Sequence, residues 1–169
     1  DPGDYLRQVE QRAAEQFGGK ATLSLTDQVV DGKLVVQQGI IAGCAGGMYD
    51  NIAEAAAILS GGDVGCGPFS LSVYPPSIPV NLELMQNGVQ QALLEAGVLF
   101  KPCFCGPCFG AGDVPANNAL SVRHTTRNFP NREGSKPGDG QLSGVLLMDA
   151  RSIAATARNH GVVTSAAEV

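Results

Sequence analysis

Gly39-Ile40-Ile41-Ala42-Gly43-Cys44-Ala45-Gly46-Gly47 is the stretch on which the reading of this chain turns. A short β-rich run ends at a cysteine set among glycines. Asp50 then caps a helix carrying Ile52, Ala55, Ala56 and Leu59, closed by Gly61-Gly62. The same alternation continues on both sides. Upstream, Asp4 caps a first helix with Leu6, Val9, Ala13 and Phe17 on one face and Gly18 as its stop, and β-rich runs follow at 21–25 and 34–36. Downstream, Leu71 to Tyr74 reads as a strand ended by Pro75-Pro76. Pro79 opens a helix with Leu82, Met85, Val89 and Leu93 on one stripe, ending at Gly97. Further strands are expected at 98–100, 120–122 and 145–147, then a helix from Asp149 to Asn159 and the short Val162-Val163. Strands alternating with helices predict a three-layer α/β/α fold with a mainly parallel sheet, one domain over residues 1–169.

Composition narrows the function classes. Hydrophobic residues make up 44% and charged residues 16% of the 169 positions, enough for a sizeable core. The net charge of −5 argues against a nucleic-acid partner, because phosphate contacts need clustered Lys and Arg. The nearest basic group is the scattered set Arg123, Arg127, Arg132 and Lys136 in a loop-like stretch. No apolar run reaches the roughly 18–20 residues of a membrane span. The opening Asp1-Pro2-Gly3-Asp4 is neither a signal peptide nor an initiating methionine, so a cytoplasmic location and a trimmed chain are expected.

Two segments break the alternation: 101–118, rich in Cys, Gly and Pro, and the polar 124–144. Both would begin at carboxyl ends of strands, where sites collect in α/β folds. Three of the five cysteines crowd into Cys103-Phe104-Cys105-Gly106-Pro107-Cys108. In a reducing compartment such a cluster points to metal or redox chemistry. Two thiolates around a tight Gly-Pro turn can grip one metal or cluster, or exchange a disulfide. A zinc ribbon would need a second CxxC, which is lacking. Cys44 reads either as a thiolate near a helix N-terminus or as a buried core cysteine. Cys66 and Cys103 read as spare thiols. His124 can assist proton transfer or simply hydrogen-bond, His160 sits at a helix end, and Glu133 and Asp139 read as solvated.

In combination these motifs resemble the aconitase family. Cys44 with Tyr49-Asp50 and an alanine-rich helix resembles that family's Ser-Cys-Thr-Asn strand end. Phe104-Cys105-Gly106-Pro107-Cys108-Phe109-Gly110 resembles its Cys-Gly-Pro-Cys-Ile-Gly motif, and Arg127-Asn128-Phe129-Pro130-Asn131-Arg132 resembles its Asn-Arg-Asn-Phe-x-Gly-Arg motif. The tail from Leu147 through Asp149, Ile153 and Ala157 to Val163 looks like the strand and helix that follow. The anchors come in the family's order with similar separations, and the match covers most of the chain.

The resemblance implies the cluster-binding third domain of an iron–sulfur hydro-lyase. Cys44, Cys105 and Cys108 would be the protein ligands of a 4Fe–4S cluster, leaving one iron free to act as a Lewis acid on a hydroxy-carboxylic acid. Arg127 and Arg132 would bind substrate carboxylates through paired N–H donors. The sequence departs from the family at Ala45-Gly46, where Thr-Asn is usual, at Thr126 in place of Asn, and at Asn131 in place of Gly. These changes point away from citrate–isocitrate isomerisation and toward a divergent hydratase. The family's serine base and its other domains have no counterpart here. The expected partners are therefore the remaining domains of the same enzyme, and the isolated chain is expected to be inactive, with no catalytic residue of its own. Two alternatives stand beside this: a non-catalytic metal- or cluster-binding regulatory module, and a CxxC thiol–disulfide protein.

Overall fold

A computed structural model of the chain describes residues 2–19, 24–127 and 142–169. The expected strand at 21–25 therefore lies largely outside the described residues. The chain opens with helix α1 (Pro2–Gln16), which docks through Leu6 and Val9. The helix starts ahead of Asp4, whose carboxylate pairs with Arg7 in the first turn rather than capping. A hairpin that the sequence reading missed follows: β1 (Val29–Val30) pairs antiparallel with β2 (Lys33–Leu34). Asp31-Gly32, with φ of +50° and +75°, forms the tight turn between them.

The main sheet has five strands, all parallel: β3 (Gln38–Ile41), β4 (Ser70–Val73), β5 (Leu99–Phe100), β6 (Leu120–His124) and β7 (Gly144–Leu147). Their spatial order is β5-β4-β3-β6-β7. The chain starts in the middle, builds outward to one edge, returns, and builds to the other. The order therefore reverses between β3 and β6, and a gap at the carboxyl ends of those two strands is the place where such sheets bind ligands.

One face of the sheet carries the helices. After β3 come a single turn, α2 (Gly43–Gly46), and then α3 (Tyr49–Leu59). Met48 is the N-cap of α3 and makes no side-chain cap bond; Asp50 lies in its first turn. The predicted single helix from Pro79 to Gly97 is instead two, α4 (Ile78–Gln86) and α5 (Val89–Glu95). Gly88, at φ +75°, ends the first and resets the helical phase. As a result Leu82 and Met85 are 50% and 56% exposed, whereas Leu84 and Leu93 are fully buried. The last helix, expected from Asp149 to Asn159, is α6 (Ala150–Arg158), with Asp149 as its N-cap. It packs on α3, and Ile153 presses on Gly39 of β3, where a Cβ would lie 3.1 Å from it.

The other face is different. Side chains alternate across a strand, so Gln38, Ile40 and Ala42 point away from the helices, together with Tyr74 beyond β4 and Ser121 and Arg123 of β6. Among the described residues the layer that covers this face is the irregular segment 101–118. The three-layer α/β architecture with a parallel sheet is thus present, with cysteine-bearing loop where a helix is more usual.

Candidate metal centre

The carboxyl end of β3 meets that of β6 at Gly43. Its φ of +81° turns the chain sharply off the strand, a conformation that favours glycine. Space demands glycine as well: a Cβ there would lie 2.8 Å from the Thr126 Oγ1 and 3.0 Å from the Cys108 Sγ. Three segments distant in sequence therefore touch at one point. Cys44 follows on α2, with its Sγ 3.1 Å from the Thr126 hydroxyl, which also accepts the Ala45 N–H at 3.1 Å.

The second pair of thiols sits on a turn of 3-10 helix over Gly106–Cys108. Phe109 and Ala111 N–H groups both donate to the Gly106 carbonyl, at 3.1 and 3.0 Å. The turn closes so tightly that a Cβ on Gly106 would sit 1.9 Å from the Ala111 carbonyl oxygen and 2.3 Å from the Phe104 ring. The Phe104 and Phe109 rings meet edge to face at 6.5 Å beside the thiols.

Cys108 lies within electrostatic reach of both other cysteines. Burial pushes the Cys108 thiol up, and the neighbouring thiols of Cys105 and Cys44 push the same way, while a hydrogen bond from the Thr126 backbone N–H pulls it down. Cys44 and Cys105 are exposed and Cys108 half-buried, all as free thiols. Thiols gathered in this way form a donor set suited to a cationic group. Among the described residues no three His, Cys, Asp or Glu side chains are arranged to hold a single metal ion. A cubane asks for something else, since its three thiolates bind three different corners and stand further apart than ligands of one ion.

The remaining sequence candidates are placed as follows. Arg127 is exposed and lies one residue after Thr126, its carbonyl accepting from the Thr125 hydroxyl at 3.1 Å. Arg132, the rest of its motif, Glu133, Lys136 and Asp139 lie outside the described residues. His124 makes a plain hydrogen bond, its Nδ1 accepting the Ala150 N–H at 3.1 Å. Cys66 is exposed and Cys103 half-buried.

Arg123 is the correction. The sequence places it among scattered cations in a loop-like stretch, yet it lies within β6 and is 4% exposed. Its Nη1 donates to the Pro107 carbonyl at 3.1 Å, its Nε to Ser121 Oγ at 3.0 Å and its Nη2 to Gln38 Oε1 at 3.3 Å. The strand parity of Ser121 and Arg123 was the signal that could have placed both on the loop-covered face.

The fold is a parallel α/β domain with Cys44, Cys105 and Cys108 gathered near its topological switch point. The chain belongs to the aconitase family (aconitate hydratase), whose profile it matches over residues 3–155. It is similar to the 3-isopropylmalate dehydratase large subunit of Nitratidesulfovibrio vulgaris strain DP4, 32% identical over 125 residues, covering 71% of this chain and 29% of that protein. Large subunit 1 of the same name from Methanopyrus kandleri is 33% identical over 121 residues, with 71% and 29% covered. Large subunit 2 from Pyrococcus furiosus is 31% identical over 135 residues, with 77% and 32% covered. The chain therefore spans less than a third of the length of these curated relatives. Among the described residues no helix is long and apolar enough to cross a membrane.

Proposed function

We propose that this chain is the cluster-bearing domain, over residues 1–169, of an aconitase-family hydro-lyase, with Cys44, Cys105 and Cys108 as the ligands of a 4Fe–4S cluster. The observation that carries the reading is the meeting at Gly43 of segments from opposite halves of the chain, where Thr126 touches the Cys44 Sγ and a Cβ would lie 3.0 Å from the Cys108 Sγ. The residues fit such a group. Cys44 and Cys105 are exposed and Cys108 half-buried, and Gly43 leaves room beside Cys108. Thr126 serves two ligands at once, through its hydroxyl to Cys44 and its backbone N–H to Cys108. Bound there, the cluster supplies a Lewis-acidic iron for the hydroxyl and carboxylate of a small hydroxy-carboxylic acid. Arg127 and Arg132 hold the substrate's carboxylates.

The relatives' names speak for dehydration of a hydroxy acid, and the words "large subunit" in those names speak for a site completed by other polypeptide. We accordingly infer that the remaining domains or a partner subunit supply the base, and that the isolated chain is inactive with citrate, isocitrate or methylcitrate. Five free thiols suit a reducing, cytoplasmic setting.

Anaerobic reconstitution with iron and sulfide, followed by elemental analysis and EPR, tests the ligand set. Wild type should take up iron and sulfide in equal amounts, and Cys44→Ser should retain far less. Equal loading of both proteins, or none in wild type, sinks the proposal. Insulin reduction that disappears in Cys105→Ser would favour the thiol–disulfide alternative, and none above background is expected.

A further inference from the structure

The segment bearing Cys105 and Cys108 crosses the polar face of the sheet with little regular structure of its own, so its position must come from what it rests on. Among the described residues, three side chains from the main sheet's strands or strand ends hold its middle, from Pro107 to Asp113. Tyr74, just after β4, donates its hydroxyl to the Asp113 carboxylate at 2.6 Å. Gln38 of β3 donates its Nε2 to the Asp113 carbonyl at 2.9 Å. Arg123 of β6 donates to the Pro107 carbonyl, inside the turn between the two cysteines. Of the three, Arg123 alone reaches the thiol turn itself.

We propose that Arg123 is a positioning residue for the thiol turn, fixing Cys105 and Cys108 relative to Cys44. The inference rests on the cluster reading for its purpose, though not for its geometry. The guanidinium is planar, and its fork is held from two sides. Ser121 Oγ takes the Nε–H, and Gln38 Oε1 takes an Nη2–H while accepting the Ser121 hydroxyl at 2.7 Å. That leaves Nη1 aimed up at Pro107. Gln38 belongs to the same strand that delivers Cys44 at its other end. Through this chain of contacts the sheet fixes one thiol directly and the other two by way of Arg123. A lysine could reach a single acceptor but could not span three.

The test has two arms, one free of the cluster. In the cluster-free protein, hydrogen exchange is followed at the amides of Phe109 and Ala111, which close the turn on Gly106. Arg123→Met should speed exchange there by about 10- to 100-fold, as loss of a charge-assisted buried hydrogen bond implies. The amide of Ile153 in α6, bonded to the Asp149 carbonyl, should keep its protection. Arg123→Lys should fall between, and it supplies the answer if the Met variant does not fold. In the reconstituted protein, iron release should quicken by about 10- to 100-fold in Arg123→Met, with a changed EPR signature and partial rescue by Lys. Unchanged exchange at Phe109 and Ala111 overturns the proposal, and so does a loss of protection spread evenly over sheet and helices. Wild type that takes up no iron defeats the cluster reading, while the exchange arm still decides the role of Arg123.

Discussion

Gly46→Ala puts the convergence at β3 and β6 under direct strain. Gly46 lies on α2, one turn of chain after β3, and its backbone is pressed against the end of β6. A Cβ added there would sit 1.8 Å from the His124 carbonyl oxygen and 2.6 Å from its carbon. The obstacle is backbone, so no rotamer change relieves it, and the same carbonyl accepts the Ala42 N–H at 3.0 Å. Restoring even a 3.0 Å separation needs a retreat of about 1.2 Å, carrying α2 and Cys44 away from Thr126. Overpacking of this kind costs about 1–3 kcal/mol. For a chain of this length that lowers Tm by about 2–12 °C. The assay is thermal unfolding of the cluster-free protein by circular dichroism, with iron uptake measured on the same samples. Gly67→Ala is the control, because nothing lies within 4 Å of a Cβ there. It should stay within about 0.5 kcal/mol of wild type. If Gly46→Ala melts with wild type and takes up as much iron, α2 is not wedged against β6 and the argument for convergence at Gly43 loses its steric basis.

Two further outcomes follow from the elements around the site. Asp149→Ala removes the cap of α6, whose Oδ1 accepts from the Arg151 and Ser152 N–H groups at 3.1 Å, and should lose about 1 kcal/mol in urea unfolding at neutral pH. Burial pushes the Asp149 carboxyl up, but the hydrogen bonds from Ser152 and Arg151 outweigh it and hold it below the usual carboxylate value. Its stabilisation is therefore present above the unfolded-state pKa and lost as pH falls through the lowered folded one, so the gap between variant and wild type should close on acidification. Tyr74→Phe removes the bond to Asp113 and should cost about 0.5–1.5 kcal/mol. Burial, then Asp113, pushes the Tyr74 phenol up, so this contribution holds below about pH 10 and is lost as pH rises further. Ultraviolet titration of wild type against Tyr74→Phe checks it, and a Tyr74 that ionises with a free phenol contradicts the buried contact.

Much of the fold was legible because its core strands are short apolar runs bounded by Gly or Pro, as at Ile40-Ile41 and Leu71 to Val73, and each is buried in the sheet. Residues 87–88 misled the helix reading: Leu82, Met85, Val89 and Leu93 make an acceptable stripe on a continuous helix, but Gly88 in the left-handed region breaks it and gives the core to Leu84. The Asp31-Gly32 hairpin escaped because its strands are two residues each. The cysteine trio was legible only through the ordered motifs; Cys105 and Cys108 by spacing alone left metal, redox and structural roles open. Thr126 was read as a departure from a family asparagine, and its grip on both Cys44 and Cys108 needed coordinates.

Among the described residues an irregular segment, not a helix, covers the second face of the sheet, and the strands beneath it give a physical cause. A helix laid on a sheet needs an apolar strip to bury its own apolar face. On this side Ile40, Ala42 and Tyr74 make only a small apolar patch, and beside it the strands present Gln38, Ser121 and Arg123, all buried and all carrying hydrogen-bonding atoms that must be satisfied. A helix spends its carbonyls on itself and has few to offer. An irregular segment keeps them available, and Pro107 and Asp113 give theirs to Arg123 and Gln38. Asp113 adopts φ +48° and offers both its carbonyl to Gln38 and its carboxylate to Tyr74. Polar strands and glycine-rich, proline-rich loop are thus two halves of one solution, in which the loop's lack of regular structure is what lets the sheet hold it. A site that must bring thiols from separate parts of the chain to a fixed spacing gains from this arrangement, because the precision resides in the rigid strands while the loop supplies the turn that aims the sulfur atoms.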